Sequence, residues 1–186
     1  MIYFKDIRWK NLLSTGNQFT EIQLNKISTT LIVGENGSGK STVLDALCFG
    51  LFSKPFRRIN RPQLINSVNN GGLLVEVEFE VGSKSYMVRR GIKKNIFEIF
   101  IDGKRLNQDA RTADQQEYLE KTILKLNYKS FTQIVLLGAN HYIPFMQLKS
   151  TDRRNIIEDL LDIQIFSVMN NLLKYKLSEN KEESQN

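Results

Sequence analysis

From Val75 to Val81 apolar and acidic residues alternate without a break. Val75, Val77, Phe79 and Val81 fall on one side, and Glu76, Glu78 and Glu80 on the other. A period of two over this length predicts a half-buried antiparallel strand. "KSYMVRR" and "NIFEIFID" continue as a meander. Asp102-Gly103 is the two-residue signal for a type I′ hairpin returning into "KRL". Upstream, "IYFKDIRW" and "FTEIQL" read as two short strands, with Gly16-Asn17 marking a turn near their connection. "STTLIV" reads as a third strand, apolar enough to be buried on both faces.

Elsewhere the period changes. Between Lys40 and Phe52, Val43, Leu44, Ala46, Leu47 and Leu51 recur at helical spacing. The stretch 53–72 is rich in Pro, Gly and Asn and reads as loop with short turns. From Thr112 the pattern is helical again. "TADQ" resembles a capping box with Thr112 as cap and Gln115 as its partner, and "EYLEKTILKL" supplies an apolar stripe. "YKSFTQIVLLG" is a second, more buried segment. Ser150 or Thr151 then caps one long helix bearing Ile156, Ile157, Leu160, Leu161, Ile165, Met169, Leu172 and Leu173. Intervals of three and four mix along it, as they would in a core helix or in the root of a coiled coil. The tail "SENKEESQN" is polar and reads as frayed. The whole is an α/β chain.

Composition narrows the function classes. Among 186 residues the formal charge is +6, which favours a polyanionic partner or simply solubility. Cys48 is the lone cysteine and His141 the lone histidine, which argues against an internal disulfide and a structural zinc site. No run is long and apolar enough to cross a membrane and no charged-then-apolar leader opens the chain, so the expectation is a soluble, unexported protein.

The most specific chemistry lies in "GENGSGKST", residues 34–42, between an apolar run and a helix. Gly34-x4-Gly39-Lys40-Ser41 is the P-loop pattern in its proper strand–loop–helix context. Glycines allow the backbone angles that turn successive N–H groups inward as a nest for phosphate oxygens. The following helix adds the positive end of its dipole. Asn36, Gly37, Ser38, Gly39 and Lys40 form the binding loop, with Lys40 reaching the β and γ phosphates as the candidate catalytic residue. Ser41 is the candidate Mg²⁺ ligand, and Thr42 donates to an α-phosphate oxygen. The implied cofactors are ATP and Mg²⁺.

Hydrolysis also needs an acid at the end of an apolar strand. "IFID" comes nearest, but the hairpin reading of Asp102-Gly103 explains the returning "KRL" and a catalytic strand does not. Asp159 and Asp162, in "EDLLD", read as solvated helix charges. The sequence therefore looks like half of a catalytic unit.

The strand pair, "GENGSGKST", "LDALCFGLF", the meander, and "SFTQIVLLG" leading into a long helix resemble the N-terminal half of SbcC-like and SMC-like ABC ATPases. The resemblance covers nearly the whole chain. It implies an ABC-type P-loop ATPase N-terminal lobe over residues 1–150 and, over 151–186, a helix leading into a coiled coil with a polar tail. It also implies an ATP-driven clamp for DNA repair and recombination. Two heads sandwich ATP as a homodimer, a C-terminal half of the same ATPase completes each site, and an SbcD-like metallophosphoesterase nuclease subunit acts on DNA. The implied place of work is the cytoplasm. Lys10, Asn11 and Ser14 match the family's "KN-x-x-S" segment near the nucleotide, with Leu13 where many relatives carry arginine. Asn66 and Ser67 fall where relatives approach the nucleotide. The family's Mg²⁺-sensing glutamine falls on Ala139, which can ligate nothing. Asn140 or His141 are substitutes on one reading and a plain loop turn on the other, while Gln133 lies too early, within a helix.

Lys54, Arg57, Arg58 and Arg61 cluster in one loop, and Lys84, Arg89, Arg90, Lys93 and Lys94 flank the meander. Arg57, Arg58, Arg61, Lys93 and Lys94 are the candidates for DNA-backbone contact, against the alternative of a solvated face or pairing with Glu76, Glu78 and Glu80. Met169, Leu172, Leu173 and Tyr175 are candidates for docking the nuclease. Rival functions are a small-molecule P-loop kinase, for which no acceptor pocket or acid is evident, and a nucleotide-binding module without turnover.

Overall fold

The structure is a computed structural model and describes residues 2–106, 111–136, 143–161 and 163–183. The chain divides into two compact units, 1–124 and 125–186.

The first unit is built on a six-stranded antiparallel sheet. Its strands are β1 (Ile2–Lys10), β2 (Thr20–Gln23), β3 (Leu74–Val81), β4 (Lys84–Gly91), β5 (Ile96–Ile101) and β6 (Lys104–Arg105), in the order β2-β1-β3-β4-β5-β6. The Val75–Val81 alternation forms the strand expected of it, because one face has a helix to cover it. Helix α1 (Thr42–Phe52) lies on that face, and Ile7, Trp9, Val75, Val77, Phe79, Val88 and Ile99 are buried. Gly50 sets the approach: a Cβ there would lie 2.7 Å from Val77 Cγ2 and 3.2 Å from Val75 Cγ1. Asp102 and Gly103 both adopt positive φ, 49° and 76°, as a type I′ hairpin requires. The Asp102 carboxylate accepts from the Ser85 N–H at 2.9 Å, so it is spent tying the hairpin to β4.

The outer face carries a row of alternating charge. Arg8, Glu76, Arg89 and Glu98 sit opposite one another across β1, β3, β4 and β5, and Arg105 reaches Glu98 from β6. Glu76 is 2% exposed and pairs with both Arg8 and Arg89. Burying a carboxylate is tolerable only with such partners. Arg90, on the opposite face, is 3% exposed and is held by hydrogen bonds to neutral groups. Its Nε donates to the Gly50 carbonyl at 2.9 Å, its Nη2 to Gln116 Oε1 at 2.5 Å, and the guanidinium lies 3.8 Å from the centre of the Phe97 ring. Burial lowers its proton affinity, Arg61 lowers it further, and Glu120 offsets part of this. The carbonyls at the negative end of α1, together with the Glu120 carboxylate, compensate the charge.

Five expectations fail here. "STTLIV" forms no strand. Leu31 and Val33 are 85% and 80% exposed and, among the described residues, 28–33 pairs with nothing. An all-apolar strand needs a neighbour on each side and cover on each face, and none is present. Thr112 is not a cap: it is the first residue of α2 (Thr112–Tyr118), the cap position is Arg111, and no side chain caps it. A π-helical turn (Leu119–Leu124) follows.

The other three failures concern the second unit, which holds α3 (Tyr128–Ile134), α4 (Ser150–Leu161) and α5 (Gln164–Glu183). The expected single helix is two. The Ile163 N–H reaches back five residues to Glu158 and the Phe166 N–H three to Ile163, so the regular ladder is lost between α4 and α5. The polar tail is not frayed from residue 178, since α5 continues to Glu183. Asp159, expected to be solvated, is 7% exposed and accepts from Asn127 Nδ2 and Ser130 Oγ, tying α4 to the start of α3. Asp162 lies outside the described residues.

Candidate functional site

The loop 34–41 turns on its glycines. Gly37 and Gly39 hold φ of 89° and 93°, a region L side chains rarely adopt. Gly34 is required for space, because a Cβ would fall 2.6 Å from Ser38 Oγ. These turns open onto a cleft of about 380 Å³ lined by Asn36, Gly37, Gly39, Lys40, Ser41 and Thr42 of the loop and helix start. Leu13, Ser14 and Arg57 close it. The Lys40 ammonium donates to the carbonyls of Gly34 and Glu35, both at 2.7 Å. A lysine ammonium beside positive-φ glycines at a helix start suits a polyphosphate. Ser41 is exposed at the helix start, and Thr42 is 2% exposed. Cys48 is buried on α1 and burial pushes its thiol up, so it offers no nucleophile.

The remaining expected residues separate. Ser14 lines the cleft. Ser38 does not, and its N–H bonds to the Glu35 carbonyl at 3.2 Å. Lys10 is not among the lining residues, and its ammonium sits 5.1 Å from the Phe19 ring centre. Asn11 is 1% exposed, with its amide bonded to Asn17, Gly72 and Asn69. Of the basic candidates, Arg57 lines this cleft. Lys93 donates to the Asn70 backbone and side chain, and Arg61 lies 5.9 Å from the Phe49 ring centre. Ala139, Asn140 and His141 lie outside the described residues. Gln133 lies within α3. Met169, Leu172, Leu173 and Tyr175 are 51–62% exposed along α5.

Two participants were missed. Asp45, one turn beyond Ser41 on α1, is 1% exposed; it accepts from the Arg57 backbone N–H at 3.0 Å, Nε at 2.6 Å and Nη2 at 2.6 Å. It thereby holds Arg57 at the cleft. The signal was an acid inside an apolar helical stripe, which demands a partner. Leu13, noted only as a departure, forms part of the wall.

A P-loop cup at the head of α1, with α1 covering an antiparallel sheet, defines the N-terminal lobe of an ABC-type ATPase head of the SbcC and SMC kind. The AAA domain family AAA_23 matches residues 6–186, and the chain belongs to that family. It is 45% identical over 179 residues to "Exonuclease subunit 2" of Escherichia phage RB69, covering 96% of this chain and 32% of that protein. It is 46% identical over 168 residues to "Exonuclease subunit 2" of Enterobacteria phage T4, covering 90% and 30%. The chain thus spans about a third of the length of these relatives. Its fold is that of the Smc head domain with a coiled coil from Pyrococcus yayanosii, at a TM-score of 0.63 and 20% identity, covering 98% of this chain and 37% of that one.

Proposed function

We propose that this chain is the ATP-binding half of the ATPase subunit of a DNA repair and recombination exonuclease complex. The observation that carries the reading is a pairing within one loop–helix unit. A phosphate cup is built around Lys40, while the apolar run leading into it stands unpaired. The cup binds ATP·Mg²⁺, with Ser41 as metal ligand and Asn36, Gly37, Gly39, Lys40 and Thr42 on the phosphates. Arg57 adds a further cation held in place by Asp45. Lys10, Asn11 and Ser38 support the cup from outside its lining.

Residues 1–150 serve as the head lobe, and 151–186 as the root of a coiled coil. The rest of the ATPase supplies a strand beside 28–33 and the acid that completes hydrolysis. Two heads close on ATP, and closure works a metallophosphoesterase-type nuclease subunit on DNA. Arg58, Arg61 and Lys94 are the outward cations for the DNA backbone, with Arg57 and Lys93 secondary because their polar ends are engaged within the fold. The exposed apolar side of α5, with Met169, Leu172, Leu173 and Tyr175, is the dock for the nuclease. Among the described residues no helix is long and apolar enough to cross a membrane. The place of action is the cytoplasm, that of the host for a phage protein.

The test is turnover. The 186-residue chain alone should bind ATP·Mg²⁺ with negligible hydrolysis, and supplying the C-terminal part of the subunit should bring DNA-stimulated hydrolysis. Full turnover by the chain alone rejects the reading.

A further inference from the structure

The wall of the cleft opposite the P-loop is a turn that the P-loop does not hold. Leu13 and Ser14 line the cleft. Leu13 sits at φ 52° and Asn11 at φ 54°, both in the left-handed region. Side chains other than glycine stay there only where surrounding contacts over-determine the backbone.

The contacts converge on Asn66. This side chain is 6% exposed and uses its whole hydrogen-bonding capacity. Its Nδ2 donates to the carbonyls of Leu13 at 2.8 Å and Thr15 at 3.2 Å. Its Oδ1 accepts from the N–H groups of Val68 at 3.0 Å and Asn69 at 2.8 Å. Its own N–H donates to the Asn11 carbonyl at 2.9 Å, and the Leu13 N–H donates to Leu64 at 2.7 Å. Asn66 therefore fastens the 11–15 turn to the 64–69 loop from behind.

That attachment orients one peptide group. Carbonyl and N–H of a trans peptide point to opposite sides, and the described chain has no cis peptide. With the Leu13 carbonyl held toward Asn66, the Ser14 N–H points away from it. Ser14 has no hydrogen-bond partner among the described residues, at its N–H or its hydroxyl, and it lines the cleft.

We propose that Asn66 is a positioning residue for the nucleotide site: its amide locks the Leu13–Ser14 peptide so that Ser14 presents unspent donors to a bound polyphosphate. This rests on the nucleotide reading above and extends it to a residue that lines no part of the cleft. Asn66 acts through the turn and touches no nucleotide itself.

Asn66→Asp tests it, because the shape is kept and the oxygen that accepts from Val68 and Asn69 remains. The two donors become an oxygen facing two carbonyls. Binding of a methylanthraniloyl-ATP probe with Mg²⁺ is measured on the native chain, Asn66→Asp and Lys40→Ala from pH 7.5 down to pH 5, with circular dichroism to confirm folding. The variant should bind about tenfold more weakly than native at pH 7.5. The ratio should fall toward one at low pH, because a protonated carboxyl regains a donor and its burial among carbonyls raises its pKa. Native-like binding by folded Asn66→Asp overturns the proposal, as does a deficit that ignores pH. If Asn66→Asp does not fold, Asn66→Ser, which keeps one donor, should weaken binding about threefold, and native-like binding by it overturns the proposal equally. If the native chain binds no better than Lys40→Ala, the nucleotide reading itself fails and this inference goes with it.

Discussion

Two apolar runs in the first unit have opposite fates. Val75–Val81 alternates with glutamates and becomes the centre of the sheet, paired on both edges by β1 and β4. Thr30–Val33 is more uniformly apolar and becomes nothing regular, with Leu31 and Val33 among the most exposed hydrophobic residues of the described chain. Hydrophobic content is therefore not what makes a strand here. A strand forms where backbone partners and a covering face are both at hand, and the amphipathic run finds them in β1, β4 and α1. The doubly apolar run needs neighbours that none of the described residues brings to it.

The contrast can be broken or sharpened by experiment. The largest effect is expected at the loop that the unpaired run feeds. Lys40→Ala should weaken nucleotide binding at least ~100-fold, read by the fluorescent probe, because it removes the charge over the phosphate nest. Next, adding the C-terminal part of the subunit should slow hydrogen exchange at Leu31–Val33 by ~100-fold or more, the protection a paired strand gains over an open one. Exchange that stays fast would end the claim that this run awaits a neighbour. Within the finished sheet, Arg90→Met should destabilise the chain by about 3 kcal/mol in urea unfolding, since the Gly50 carbonyl and Gln116 Oε1 lose their buried donor. Glu76→Gln should cost about 2 kcal/mol by leaving Arg8 and Arg89 short of their shared charge, while Glu78→Gln stays within about 0.5 kcal/mol. Smallest of all, Leu31→Ser should change the stability of the chain alone by less than about 0.5 kcal/mol, yet impair assembly with the C-terminal part.

Legibility followed the same division. The meander, α1, the hairpin at Asp102-Gly103 and the glycine loop were readable because each is decided by neighbours close in sequence: a period, a turn type, a spacing. The fate of 28–33 was not, because it depends on strands far away or elsewhere. The break between α4 and α5 has no proline or glycine to announce it. Asp159 looked solvated because its partners, Asn127 and Ser130, lie about thirty residues upstream. At the site, the P-loop was evident, but Arg57 passed for an outward cation because the pairing with Asp45 spans a loop of unreadable course. Asn66 was placed near the nucleotide by resemblance alone, and its grip on the 11–15 turn was unreadable for the same reason: asparagine in a loop says turn, and only the fold reveals which backbone it holds.

The clearance at Gly50 has a mechanical meaning. With no room for even a methyl between α1 and the two valines of β3, helix and sheet cannot slide past one another. Whatever displaces the front of that rod therefore also displaces the valines of β3 packed against Gly50.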